Sequence, residues 1–338
     1  MPAGLYRKLG LEAAPRLKLY AGFGDAHQLQ VYGHMLQVSA PLHTNGKNRV
    51  FRNVLQLLRL FCMVPMANVT VRLQWQGMRV ETQSGTDGFF KLEWQPEHPV
   101  APGWYEAAVS AVDASGALLH QATATLQVPG ATQLAMVSDI DDTFLVSHSH
   151  TLWKRLRTLV TRNAGKRRPF EDVARHYRLL QQARTTPDVP NPFFYVSSSE
   201  WNLYDYLTHF METNQLPPGI MLLNQLRSLR HILRSGQHHH NGKFVRIVRV
   251  MEVYESHRIV LLGDNSQRDP EIYKAIVQHF PGRIAAVYIR MVRSGKQEPA
   301  LELQKLLGEL GIPCCLFRHS REAIAHSQAI GLIADGEG

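Results

Sequence analysis

The stretch Leu134–Thr143, LAMVSDIDDT, constrains the fold more than any other part of the chain. Its apolar run, Leu134-Ala135-Met136-Val137, stops at Ser138 and gives way to Asp139, Asp141 and Asp142. A short apolar run bounded this abruptly predicts a strand buried on both faces, as in a parallel sheet. Asp139 and Asp141 stand two residues apart, and on an extended chain that spacing sends both side chains to the same side. Like charges brought together repel. A hard divalent cation with oxygen ligands, such as Mg²⁺, would relieve the repulsion. Open α/β sheets place their chemistry in the crevice beyond the carboxyl ends of the strands, which is where these acids would sit.

The flanking sequence falls into parts with different grammars. At 338 residues the chain is long enough for about two domains. Residues 1–27 are basic and mildly amphipathic, with Arg7, Lys8, Arg16 and Lys18 among leucines and tyrosines, and read as an N-terminal arm. Residues 28–130 alternate by two in short runs such as QLQVYGHML, VTVRLQWQG and FFKLEW, with a turn signal at Gly85-Thr86-Asp87-Gly88. They predict a β-sandwich, interrupted by a helical insertion over 53–63. Pro129-Gly130-Ala131-Thr132 marks a boundary, after which strand and helix patterns alternate to the end of the chain. The fold class expected for 131–338 is therefore α/β, a Rossmann-like parallel sheet. Its strands are expected at 133–139, 193–197, 219–223, 258–262, 284–290 and 312–317. The segment 144–191 is too long for a simple connection and reads as a helical cap insertion. Its basic loop, Thr161 to Arg168, would stand over the strand ends.

A second acidic cluster repeats the design of the first. Val260-Leu261-Leu262 leads through Gly263 to Asp264, with Asp269 five residues on and Pro270 placed to open a helix. Either aspartate alone is commonly a cap or turn residue. Two such clusters, each ending an apolar strand, would bring Asp139, Asp141, Asp264 and Asp269 to one edge, where two or three carboxylates suit Mg²⁺. A third apolar strand ends in Ser197-Ser198-Ser199 before a helix start at Trp201, and hydroxyls with free N–H groups there suit a phosphate oxygen. Lys243 stands just before the helix that leads into the Asp264 strand.

These residues, in this order, resemble the motifs of the haloacid-dehalogenase-like phosphohydrolases: Asp139-Ile140-Asp141-Asp142-Thr143, then Ser197, then Lys243, then Gly263-Asp264 with Asp269. More narrowly, SDIDDT, YVSSSEW, LLGDNSQRDPEIY and a strand-rich N-terminal domain are similar to the phosphatidate phosphatases of the actin-patch-protein type and their bacterial relatives. Glu200 departs from that pattern, standing where proline is expected. The resemblance implies a haloacid-dehalogenase-type domain with a cap. It also implies transfer of a phosphoryl group to Asp139, acid–base catalysis by Asp141, and a loop braced by Thr143. Mg²⁺ would be held by Asp139, Asp264, the Asp141 main chain and Asp269. Ser197, Ser198 and Lys243 would hold phosphate oxygens.

The net charge of +9 favours anionic partners, whether acidic lipid surfaces, phosphorylated substrates or nucleic acid. No nucleic-acid module or interleaved aromatic stripe is visible, so nucleic acid is not expected. The opening residues do not read as a secretory signal, and nowhere is there an apolar run of the ~18 residues a membrane span needs. The three cysteines, Cys62, Cys314 and Cys315, point to a reducing compartment rather than a disulfide framework. The expectation is a cytoplasmic enzyme, peripheral to the membrane if its substrate is lipid. Its sandwich is free to bind a protein partner. A phosphatase of soluble phosphomonoesters and a non-catalytic adaptor remain as alternatives. The His238-His239-His240 run reads as a polar loop, and the charges around Arg246 and Arg249 as a helix surface.

Overall fold

A computed structural model describes residues 13–39, 63–130, 132, 134–140, 168–224, 241–293, 295 and 297–334. The chain divides into two compact units. The first comprises Met1–Val128 with Glu200–Asp205 and Gln225–Ser235, the second the remainder.

In the first unit, eight strands form one curled sheet: β1 (Ala13–Gly24), β2 (Leu29–Ser39), β3 (Val64–Pro65), β4 (Thr70–Trp75), β5 (Met78–Gln83), β6 (Phe89–Trp94), β7 (Gly103–Val112) and β8 (Leu118–Val128). Their order is β3-β2-β1-β8-β7-β4-β5, with β6 also on β2. Neighbours are antiparallel except β1 and β8, which run parallel where Gly22 and Phe23 meet Leu126 and Gln127. Alternation builds the core: Val71, Leu73 and Trp75 of β4 and Phe90, Leu92 and Trp94 of β6 all point inward. Trp75 and Trp94 pack with ring centroids 5.8 Å apart. Gln76 and Gly77 both have positive φ, the two-residue hairpin geometry that matches strand twist.

One expectation is corrected here. The basic arm over 1–27 is, in its described part, strand β1. Leu17, Tyr20 and Phe23 are buried, Arg16 is exposed, and the largely buried Lys18 pairs its ammonium with Asp205, so the segment is a packed strand and not a solvated arm. The strands expected over 28–130 join β1 in one hydrogen-bonded set, with β6 branching from β2. The segment after β10 (Phe193–Glu200) also belongs to this unit: Trp201 stacks on His34 at 4.3 Å, and the Tyr204 hydroxyl accepts the Ala21 N–H at 2.9 Å. The expected insertion at 53–63 lies outside the described residues, apart from Met63.

In the second unit, β9 (Leu134–Asp139), β10, β11 (Ile220–Asn224), β12 (Arg258–Asp264), β13 (Ile284–Arg290) and β14 (Cys314–Phe317) form a sheet of order β11-β10-β9-β12-β13-β14. From β10 to β14 the pairings are parallel. Counting from β9, the order is 3-2-1-4-5-6, which reverses direction between β9 and β12. Helices α1 (Arg168–Gln181), α2 (Tyr204–Thr213), α3 (Asn241–Val253), α4 (Asp269–His279), α5 (Glu298–Glu309) and α6 (Ser320–Ala329) alternate with the strands.

Helix α1 corrects the cap expectation for its part of 144–191. It is packed into the core. Val173, Ala174, Tyr177 and Leu180 are buried, and His176 Nε2 lies 3.0 Å from Ser327 Oγ on α6. Burial, then the nearby His326, pulls the His176 pKa down to about 3, so it stays a neutral structural bridge. Residues 144–167, with the basic loop, lie outside the described residues.

Candidate active site

The site is built at the strand ends on either side of the reversal. All six residues of β9 are buried, so its main chain can leave the sheet only at Asp139. Strand β12 lies alongside in parallel register, Leu262 opposite Ser138, so Asp264 emerges at the same edge. Asp269 returns to that edge through the turn after β12. It opens α4, where an acidic side chain suits the positive helix end and Pro270 lacks only a donor the first turn does not need.

The side chains then converge. Oxygens of Asp139, Asp264 and Asp269 lie within 4.8 Å of one another, and all three residues are buried. Lys243, from the first turn of α3 and 5 % exposed, places Nζ 2.8 Å from Asp139 Oδ1 and 2.5 Å from Asp269 Oδ1. Asp269 Oδ2 also accepts the Asp264 N–H at 3.1 Å, and Asp264 Oδ1 accepts the Ser266 N–H at 2.6 Å. Three buried carboxylates thus converge beside the Lys243 ammonium. This set of hard oxygen donors fits a divalent cation of the Mg²⁺ type.

Gly263 is required by close approach. A Cβ there would lie 2.6 Å from Asp269 Oδ2 and 2.8 Å from the Tyr273 hydroxyl, which donates to the Leu262 carbonyl at 2.8 Å. Under the nucleophile candidate, Ser138 Oγ donates to the Asp139 carbonyl at 2.9 Å and lies 2.8 Å from the Tyr177 hydroxyl. Burial pushes the Tyr177 pKa well up, so its proton remains available to Ser138. Asn265 braces the far side, its Oδ1 accepting the Val292 and Arg293 N–H groups and its Nδ2 donating to the Arg293 carbonyl. Arg290 ends β13. Burial lowers its pKa, while Tyr177 and Asp264 act to raise it.

The structure thus brings together four sequence-predicted residues: Asp139, Asp264, Asp269 and Lys243. Ser197 is fully buried within β10, one residue past Val196, the register partner of Asp139, and Ser198 is exposed. Asp141 and Thr143 lie outside the described residues. Sequence reasoning missed Tyr177, Asn265 and Arg246. Arg246 was expected on an open helix surface, but its Nη2 donates to the Ser197 carbonyl at 3.0 Å in a partly buried position. The i, i+3 spacing from Lys243 was the one available signal.

Residues 134–291 match the family model described as phosphatidate phosphatase APP1, catalytic domain. That interval contains Asp139, Ser197, Lys243, Asp264 and Asp269. The chain is 26% identical over 183 residues to phosphatidate phosphatase APP1 of Saccharomyces cerevisiae, a match covering 52% of this chain and 29% of the relative. It is 24% identical over 163 residues to the uncharacterized protein C29B5.04c of Schizosaccharomyces pombe, covering 48% of this chain and 26% of the relative. The chain therefore spans less than a third of the length of these relatives. Among solved structures, a carbohydrate acetylesterase from Xanthomonas citri aligns over 96% of this chain and 76% of that one at 12% identity, with a TM-score of 0.34. Among the described residues, no helix is long and apolar enough to cross a membrane.

Proposed function

We propose that the α/β unit is a Mg²⁺-dependent phosphatase of the haloacid-dehalogenase type that acts through an aspartyl-phosphate on phosphatidate or a related lipid phosphate. The observation that carries the reading is the meeting of Asp139, Asp264 and Asp269 with Lys243 at one sheet edge. The family match over the same residues supports the lipid phosphate as substrate class.

In this reading, Asp139 attacks phosphorus with a carboxylate oxygen and the bond to the leaving alkoxide breaks. Asp141 gives that alkoxide a proton, then takes one from the water that attacks the aspartyl-phosphate, releasing inorganic phosphate and restoring Asp139. Lys243 holds the Asp139 carboxyl in place before the substrate arrives, and with Ser197 it holds the nonreacting phosphate oxygens. Asp139, Asp264 and Asp269 would hold Mg²⁺, which supplies positive charge against the phosphate when bound.

The test is phosphate release by the purified chain from phosphatidate in mixed micelles, from lysophosphatidate and from soluble phosphomonoesters, with Mg²⁺ or with EDTA. Release from phosphatidate that EDTA removes is expected. Release from soluble esters alone would replace the lipid substrate, and no release from any ester would overturn the phosphatase reading.

A further inference from the structure

Arg246 and Lys243 stand on the same side of α3, one turn apart. The Arg246 guanidinium does not extend into water. Nη2 donates to the Ser197 main-chain carbonyl at 3.0 Å. A Cβ built on Gly242 would lie 3.4 Å from Nη1, 3.7 Å from Nη2 and 3.8 Å from Cζ, so the guanidinium folds back across the first turn of its own helix. The same turn carries Lys243, which is joined to Asp139 and Asp269. Through Arg246, β10 is therefore tied at Ser197 to the helix turn that carries Lys243, and through Lys243 to the end of β9 and the start of α4.

We propose that Arg246 is a positioning residue for the substrate phosphate. It holds the Ser197 main chain against the first turn of α3, so that the Ser197 hydroxyl and the Lys243 ammonium close on the phosphate oxygens as one preformed pair. The inference rests on the phosphatase reading of this site and assigns to it a residue that the acidic motifs do not include. The physical basis is orientation. A hydroxyl on a strand and an amine on a separate helix bind one tetrahedral anion well only if their separation is fixed beforehand. A guanidinium is suited to fixing it, because its planar donors bond a carbonyl in a set direction and its charge persists through partial burial. That charge also adds to the local field favouring an anion.

The test compares the full chain with Arg246→Met, Arg246→Lys and, as a control, Arg249→Met, which alters an exposed arginine on the same helix. Two quantities are read: the dissociation constant for inorganic phosphate in the presence of Mg²⁺, and kcat and KM for phosphatidate in mixed micelles. Arg246→Met is expected to weaken phosphate binding about tenfold and lower kcat/KM by about tenfold or more, the size of losing one charge-assisted hydrogen bond. Arg246→Lys should recover part of both, added methylguanidinium should partly restore Arg246→Met, and Arg249→Met should match wild type. Unchanged phosphate binding in Arg246→Met, with wild type binding normally, would overturn the inference and leave the phosphatase reading standing. So would a loss accompanied by melting that neither lysine nor methylguanidinium relieves. A wild-type chain that neither binds phosphate nor hydrolyses any ester would remove both.

Discussion

Asp139→Asn is expected to lower Mg²⁺-dependent phosphate release by at least about a thousandfold, to the limit of detection, because the amide cannot form the acyl-phosphate bond. The fold should persist. Asn has nearly the same shape, and β9 is held by its neighbours β10 and β12 along its whole length. The substitution also removes one of three like charges from a buried cluster, which offsets the lost pairing with Lys243. Circular dichroism and the thermal midpoint should therefore stay close to wild type while turnover vanishes. Retained turnover would place the nucleophile elsewhere.

Gly263→Ala is the second large effect, and it acts through shape. The added methyl would meet Asp269 Oδ2 at 2.6 Å and the Tyr273 hydroxyl at 2.8 Å, both belonging to the buried first turns of α4. Neither can yield cheaply. Asp269 holds Lys243 and the Asp264 N–H, and Tyr273 holds the Leu262 carbonyl. Overpacking of this kind costs about 1–3 kcal/mol. Because the displaced groups are those that set the carboxylate cluster, phosphate release should fall about a hundredfold or more as well. Gly308→Ala in α5 is the matched control: a Cβ there meets nothing within 4 Å, so stability should hold or rise and turnover should not change. A Gly263→Ala chain as stable and active as wild type would show that the packing around Asp269 does not set the site.

The ends of β9 and β12 were legible because each joins a fully apolar run to a carboxylate, and that abrupt change is written in consecutive residues. Lys243 carried little local signal, and its place came from motif order in a resemblance rather than from its neighbours. Strand β1 was hidden because Arg16 and Lys18 gave the segment the look of a solvated arm, though Leu17, Tyr20 and Phe23 are buried and Lys18 finds a partner in Asp205, 187 positions away. Helix α1 was read as part of a cap because length alone cannot show that Tyr177 reaches Ser138, 39 positions away, or that His176 reaches Ser327, 151 positions away. The partners of Arg246 and Asn265 are likewise set by the crossing of distant elements. A charged helix residue on a strand-end carbonyl and one in water look identical in sequence.

The central claim is that a phosphoryl group passes through Asp139. Incubating the chain with phosphatidate and Mg²⁺, quenching in acid, reducing with borohydride and sequencing the peptides by mass spectrometry tests it directly, since reduction of an acyl phosphate converts aspartate to homoserine. The account predicts homoserine at position 139 and aspartate retained at 264 and 269. Steady turnover with homoserine at another aspartate would contradict it.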